Sequence, residues 1–328
     1  MKILVLTVGC INYDHDINHY EPIKFLFPNT IRYNYYERIQ QIGRDKMNIE
    51  LLNFVKKEKL DYIFYITYQD QIKLNTLLRI KKLGVKIIGW FSDDQWRFDE
   101  FSKKISPYLD FQITTYPIAF EKYKQLHFHP ILCQWGANQR FYVNKNIKKK
   151  LYDVSFIGQK HGIREKFIQG LIDRGIEINT FGRSWLKRIS FNDMIDIFNL
   201  SKINLNISAS SYSEDVKQIK ARHFEVPMCG GFLLTDYADK LEDYYDLDSE
   251  IVCYKGIDDA VEKIKYYLNN DREREKITKG GYLAALKRHT WDNRLKTAFE
   301  QVINYDTHYD AYPKPHAFEK LINFIFRR

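Results

Sequence analysis

Apolar runs of strand length alternate along the chain with segments whose apolar positions recur at helical spacing. In the first half the runs fall at 2–7, 62–68, 85–91, 111–115 and 128–135, and the helical segments at 48–57, 71–82 and 119–125. Strands that are apolar throughout are covered on both faces, so this alternation predicts a parallel sheet flanked by helices. The pattern restarts after the basic stretch 148–150. Strands are predicted at 154–157, 177–181, 203–207, 232–234 and 250–254, interleaved with helices at 163–174, 191–200, 257–268 and 271–287. The expectation is two doubly wound, Rossmann-like α/β domains, residues 1–147 and 148–304, followed by a C-terminal segment, 305–328.

A chain of 328 residues is long for one core and sufficient for two. Its composition, 45% hydrophobic and 28% charged, is that of a globular protein rather than a membrane span or a disordered tail. The opening MKILVLTVGC is too short for a secretory leader and no small-residue cleavage pattern follows, so a first buried strand is expected there. Cys10, Cys133, Cys229 and Cys253 are scattered without a CxxC pair. That suits a reducing cytoplasm and argues against a disulfide or zinc framework, and no metal is expected. The net charge of +9 is carried by short clusters such as Lys56-Lys57, Lys81-Lys82, 145–150 and Arg327-Arg328. A nucleic-acid binder would gather it into a stripe with interleaved aromatics, so nucleic acid is not expected as a partner. Solvated faces account for such clusters, and peripheral contact with an anionic membrane surface is a second reading.

The stretch richest in chemistry is ARHFEVPMCGGFLLTD, residues 221–236. Arg222 and Glu225 stand three apart, on one face of a helical turn, and can address one ligand. A guanidinium fork suits phosphate, and a carboxylate accepts from sugar hydroxyls. Gly230 and Gly231 then let the backbone leave the helix and turn tightly into the next strand. The same spacing also describes an ordinary surface ion pair, so both readings stand at this point. Pro227 removes an N–H inside the helical stretch and predicts a short or kinked helix.

SKINLNIS (201–208), a polar loop and then ARHFEVPMCGGFLLTD resemble the C-terminal half of the CgeB-like (spore maturation protein type) glycosyltransferases, relatives within the GT-B superfamily. The resemblance runs from about Tyr152 to about Ala298. It implies two Rossmann-like domains facing across a cleft, closing about 136–150, with the C-terminal segment crossing back to the first domain and 318–326 as its candidate helix. WGANQRFY (135–142) resembles the family's inter-domain connection. The implied activity is metal-independent transfer of a sugar from a nucleotide-diphosphate sugar to a glycan, lipid-linked or protein acceptor. The donor is a substrate, and no cofactor is implied. Residue for residue, Glu225 falls on the donor ribose with Cys229-Gly230 as the matching turn, and Arg222 faces the diphosphate. Lys217 stands where the broader family carries the earlier glutamate of its paired-acid motif, a departure from the retaining pattern.

Ligands of open α/β sheets lie beyond the carboxyl ends of strands, which selects the remaining loops. GQKHGIR (158–164) follows a strand and opens a helix. Its Gly158 amide and Arg164 are candidate phosphate ligands, as is Gly182 in GRSW (182–185). In the first domain GWFSDDQWRF (89–98) resembles the Trp-x-x-Asp-Asp segment of the CgeB-like proteins. Asp93 and Asp94 are candidate general bases for an acceptor hydroxyl, and a helix-capping role for Asp93 is the alternative. Asp14, His15, Asp16 and His19 are read as an acceptor-side loop rather than a metal clasp. His127 and His129 are read as structural, and Asp246 and Asp248 as solvated. Two other functions use the same features: a nucleotide-sugar epimerase of GT-B fold, and a non-catalytic module for glycan or anionic surfaces.

Overall fold

The computed structural model describes residues 1–10, 13–14, 16–185, 189–209 and 216–309. Six strands form a first sheet: β1 (Ile3–Thr7), β2 (Ile31–Asn34), β3 (Tyr62–Ile66), β4 (Lys86–Phe91), β5 (Phe111–Thr114) and β6 (Pro130–Leu132). Their order is β2-β1-β3-β4-β5-β6, and every pairing is parallel. Leu4 lies opposite Ile63, and Ile63 opposite Ile87, so the apolar runs sit side by side in the middle of the sheet. All are fully buried, as strands covered on both faces must be. The helices Arg44–Glu58, Leu74–Lys81 and Pro117–Gln125 supply the cover.

The second sheet holds β7 (Tyr152–Ile157), β8 (Asn179–Phe181), β9 (Ser201–Asn206), β10 (Leu233–Asp236) and β11 (Val252–Tyr254), in the order β8-β7-β9-β10-β11 and again wholly parallel. The helix Phe191–Leu200 begins where Ser190 and Asp193 form a reciprocal capping box. One apolar cluster joins Phe198, Phe224, Met228 and Tyr245, and another joins Val154, Ile203, Leu234 and Ile264. Among the described residues no helix is long and apolar enough to cross a membrane.

The described structure differs from expectation in some of its elements and in its boundaries. β2 is an edge strand of four residues, IRYN, too short and too polar to stand out as an apolar run. Its last residue, Asn34, caps the helix Tyr35–Ile42 by accepting from the Glu37 amide at 3.0 Å. The helix Trp291–Tyr309 fills a stretch in which no element was expected, whereas 318–326 lies outside the described residues. Packing divides the chain into one unit of residues 1–9, 23–133 and 295–328 and another of 10–22 and 134–294. The boundary thus falls at 133/134 rather than 147/148, and the chain re-enters the first unit at Leu295 rather than 305. Residues 10–22 join the second unit because Asn138 Nδ2 donates to Ile17 O at 2.6 Å and the His19 ring lies 4.7 Å from that of Trp291.

Candidate functional site

In the second sheet β8 and β9 lie on opposite sides of β7, so the connections leaving β7 and β9 run in opposite directions. The carboxyl ends of these two strands flank a switch point, where open α/β sheets leave a crevice for ligand. At the end of β7 the Gly158 amide donates to Phe181 O at 3.0 Å, and the Lys160 amide donates to Arg183 O at 3.0 Å. Gly182 has φ of +121°, and a Cβ there would overlap the carbonyl oxygen of Gly158. Only glycine meets both demands, so the two loops are laid backbone against backbone. Arg164, in the first turn of the helix Ile163–Ile172, is buried and lies 5.7 Å over the Phe156 ring. Its Nη1 donates to Gln159 O at 3.1 Å and to His161 Nε2 at 3.0 Å. Burial, then the charges of Arg164 and Lys220, pull the His161 pKa down to about 4, leaving a neutral ring able to accept.

That helix runs Arg222–Met228, short as Pro227 predicts. Arg222 Nη1 donates to Glu225 Oε2, while the Arg222 guanidinium lies 5.3 Å over the Phe198 ring. The Glu225 side chain is only 1% exposed and that of Arg222 14%. The Tyr142 hydroxyl donates to Glu225 Oε1 at 2.7 Å and accepts from Asn18 Nδ2 at 3.4 Å. In this structure both carboxylate oxygens of Glu225 are therefore engaged by protein groups. Gly230 has φ of +66°, and a Cβ on it would overlap the Asn144 amide. A Cβ on Gly231 would crowd Asn204 Nδ2 at 2.8 Å. Cys229 is sealed in the same turn, and burial, aided by Glu225, pushes its thiol pKa well up, so it acts as a small apolar filler.

Sequence reasoning missed the polar cluster behind Arg222. His223 is wholly buried, and its Nε2 lies 3.2 Å from Thr235 Oγ1, 3.3 Å from Ser208 Oγ and 3.4 Å from Asn206 Nδ2. Burial lowers its pKa to about 4, so the ring is neutral. Asp236 Oδ1 accepts from the Ser208 amide at 2.6 Å, and its Oδ2 lies 3.5 Å from Lys217 Nζ. The signal was present: Asn206, Ser208, Thr235 and Asp236 are polar residues at the ends of two buried strands, where water is scarce. Lys217 thus has a carboxylate within reach.

In the first unit the structure separates the two adjacent acids. Asp93 is exposed and borders a small recess with Thr67, Ser92 and Arg97. It precedes the turn Asp94–Arg97, and its side chain makes no capping hydrogen bond. Asp94 is 2% exposed and accepts from the Tyr123 hydroxyl at 3.1 Å, with the Ser102 and Thr114 hydroxyls beside it. Burial pushes its pKa up to about 6 despite those donors. Of the two candidate bases, Asp93 is thus open to solvent and Asp94 is sealed from it.

Of the sequence-predicted residues, Gly158, Arg164 and Gly182 come together at the loops after β7 and β8. Arg222, Glu225, Gly230 and Gly231 come together at the helix that leads into β10. His129 precedes β6 and its Nε2 lies 3.1 Å from the Tyr305 hydroxyl, while His127 sits in a turn at φ of +59°, so the pair does not share a strand face. Asp246 and Asp248 are exposed in a turn. His15 and the side chain of Asp14 lie outside the described residues.

Residues 163–300 match a family described as glycosyl transferase-like, a span that holds Arg164, Gly182, Arg222, Glu225, Gly230 and Gly231. No curated protein matches the chain in sequence. Solved structures match over nearly its whole length. HepE of Anabaena in complex with UDP and glucose superposes with a TM-score of 0.67 at 9% identity, covering 93% of this chain and 100% of that one. Sucrose-phosphate synthase from Thermosynechococcus elongatus gives 0.60 at 12% identity, covering 95% and 100%. A glycosyltransferase from Rickettsia africae gives 0.64 at 9% identity, covering 94% and 99%. At these identities the likeness shows the fold, which this chain shares with these glycosyltransferases and with sucrose-phosphate synthase.

Proposed function

We propose that this protein is a glycosyltransferase of the CgeB-like branch that takes its sugar from a uridine-diphosphate donor. The observation that carries this reading is the buried pairing of Arg222 with Glu225, inside the span 163–300 that matches a glycosyl transferase-like family. UDP or UDP-glucose bound to HepE supports the choice of nucleotide.

The donor site acts by exchange. When the nucleotide enters, the Arg222 fork leaves Glu225 for the diphosphate, and the Glu225 oxygen it vacates accepts from the ribose hydroxyls. Arg164 adds a second guanidinium near the phosphates. The acceptor hydroxyl oxygen then bonds to the anomeric carbon as the bond from that carbon to the diphosphate oxygen breaks. The acceptor proton passes to a base, and UDP departs. Side-chain cations that meet charge as it builds on the leaving diphosphate lower the barrier without a metal ion.

Acceptor-dependent UDP release tests the reading. A panel of UDP-sugars with glycan, lipid-linked and protein acceptors is expected to give release only when donor and acceptor are both present. A changed sugar isomer formed from donor alone would indicate an epimerase instead. The likeness to a putative UDP-N-acetylglucosamine 2-epimerase from Listeria monocytogenes, with a TM-score of 0.55 at 10% identity over 92% of this chain and 96% of that one, makes that outcome worth measuring.

A further inference from the structure

The stretch 135–142 was singled out by its resemblance to an inter-domain connection, yet its last residue reaches into the donor site. The Tyr142 hydroxyl has one proton to give and gives it to Glu225 Oε1 at 2.7 Å. Its own oxygen accepts from Asn18 Nδ2 at 3.4 Å. Asn18 is carried by the turn Asp16–Tyr20, which Asn138 holds through Ile17 O at 2.6 Å. The Tyr142 ring is wholly buried and meets Phe191 edge-on at 5.3 Å, so the hydroxyl has little freedom to point elsewhere. Asn18 is 6% exposed, and its Oδ1 has no hydrogen-bond partner among the described residues. A buried acceptor left in that state is costly, which points to a donor group that arrives with a ligand.

We propose that Tyr142 and Asn18 are positioning residues of the donor site, which lock Oε1 of Glu225 so that Oε2 alone passes between Arg222 and the ribose hydroxyls. The proposal rests on the donor-site reading given above. It explains why a hydroxyl from a connecting segment is buried against a carboxylate 83 residues further on. A carboxylate held at one oxygen keeps its plane when the other changes partner, and a site held in its productive geometry binds more tightly than one that must be ordered.

Calorimetric titration of the full chain with UDP and with 2′,3′-dideoxyuridine diphosphate tests it. Wild-type protein is expected to prefer UDP. Tyr142→Phe keeps the ring and its Phe191 contact and removes only the hydroxyl. It is expected to weaken UDP binding about tenfold while dideoxy-UDP binding stays within about twofold of wild type. Equal losses for both nucleotides would mean that the hydroxyl merely supports the fold, and no loss for either would mean that it does nothing for the site. Either result overturns the proposal. Should Tyr142→Phe not fold, Asn18→Ala decides in the same way, with a selective loss of about threefold for UDP supporting the lock and an unselective or absent loss refuting it. Wild-type protein that binds neither nucleotide would instead overturn the donor-site reading, and the lock with it.

Discussion

At the scale of single residues, Arg222 and Glu225 form a pair whose setting departs from that of a surface ion pair. An exposed pair three apart on a helix contributes a few tenths of a kcal/mol. Here Glu225 is sealed and Tyr142 holds its other oxygen, so removing one partner strands a buried charge at a cost of ~3 kcal/mol. Stability alone therefore does not separate a donor clamp from an ion pair, and kinetics must. Arg222→Lys keeps the charge and loses the two-pronged fork that fits a diphosphate. It is expected to lower kcat by about tenfold or more in a UDP-release assay, with a smaller change in donor affinity. Wild-type kcat in the Lys variant would assign Arg222 to Glu225 alone. The spacing of the pair was legible in the sequence. The hydroxyl that completes it was not, because a contact between residues 142 and 225 leaves no local periodicity to read.

Asp94 offers a second test at this scale. Burial raises its pKa to about 6, above the ~3.9 of an unfolded aspartate, so the folded state binds its proton more tightly. The stability tied to that proton is complete below pH ~4 and is lost as pH rises through 6. Asp94→Asn carries no charge into the same pocket. Relative to wild type it is expected to gain ~2–3 kcal/mol between pH 4 and 8, measured by urea denaturation at both values. Parallel pH profiles for the two proteins would show that the carboxyl is not held neutral by burial. Two adjacent aspartates read identically in sequence, since only the fold decides which of them faces water.

At the scale of elements, the loops after β7 and β8 meet through Gly158 and Gly182, and that contact shapes the proposed phosphate side of the site. Gly182→Ala combines a left-handed backbone position with a Cβ driven into the Gly158 carbonyl. It is expected to cost ~2 kcal/mol or more in stability and to weaken nucleotide binding beyond what that loss explains, measured by thermal denaturation with and without UDP. Unchanged UDP stabilisation in the variant would remove this turn from the site. The strands that frame it were legible from their apolar positions, Val154, Phe156 and Ile157 in β7 and Ile203 and Leu205 in alternation with Asn204 and Asn206 in β9. β2 was not, since a four-residue edge strand with Arg32 and Asn34 among its residues has no apolar run to display. Nor was His223, a lone imidazole whose burial arises only when β9, β10 and the Arg222 helix are assembled.

At the scale of the whole molecule, two parallel sheets of related strand order follow directly from the repeated strand–helix alternation. Their boundaries were harder to read. The basic stretch 148–150 marks a change of composition, but the chain changes unit at 133/134, where buried contacts of Asn138 and Ala137 begin to tie it to the second unit. The return at Leu295 falls inside a continuous helix, so neither a linker composition nor a turn residue announces it. Solved structures at 9–12% identity share the fold without sharing the sequence, which leaves the nucleotide as the quantity that must be measured on this chain.

Isothermal titration of UDP into the wild-type protein is that measurement. The account predicts one UDP per chain, bound with a Kd in the micromolar range, about −8 kcal/mol, and an affinity that falls in both Arg164→Ala and Arg222→Ala. Absence of UDP binding by a folded wild-type chain, or binding indifferent to both arginines, would contradict it.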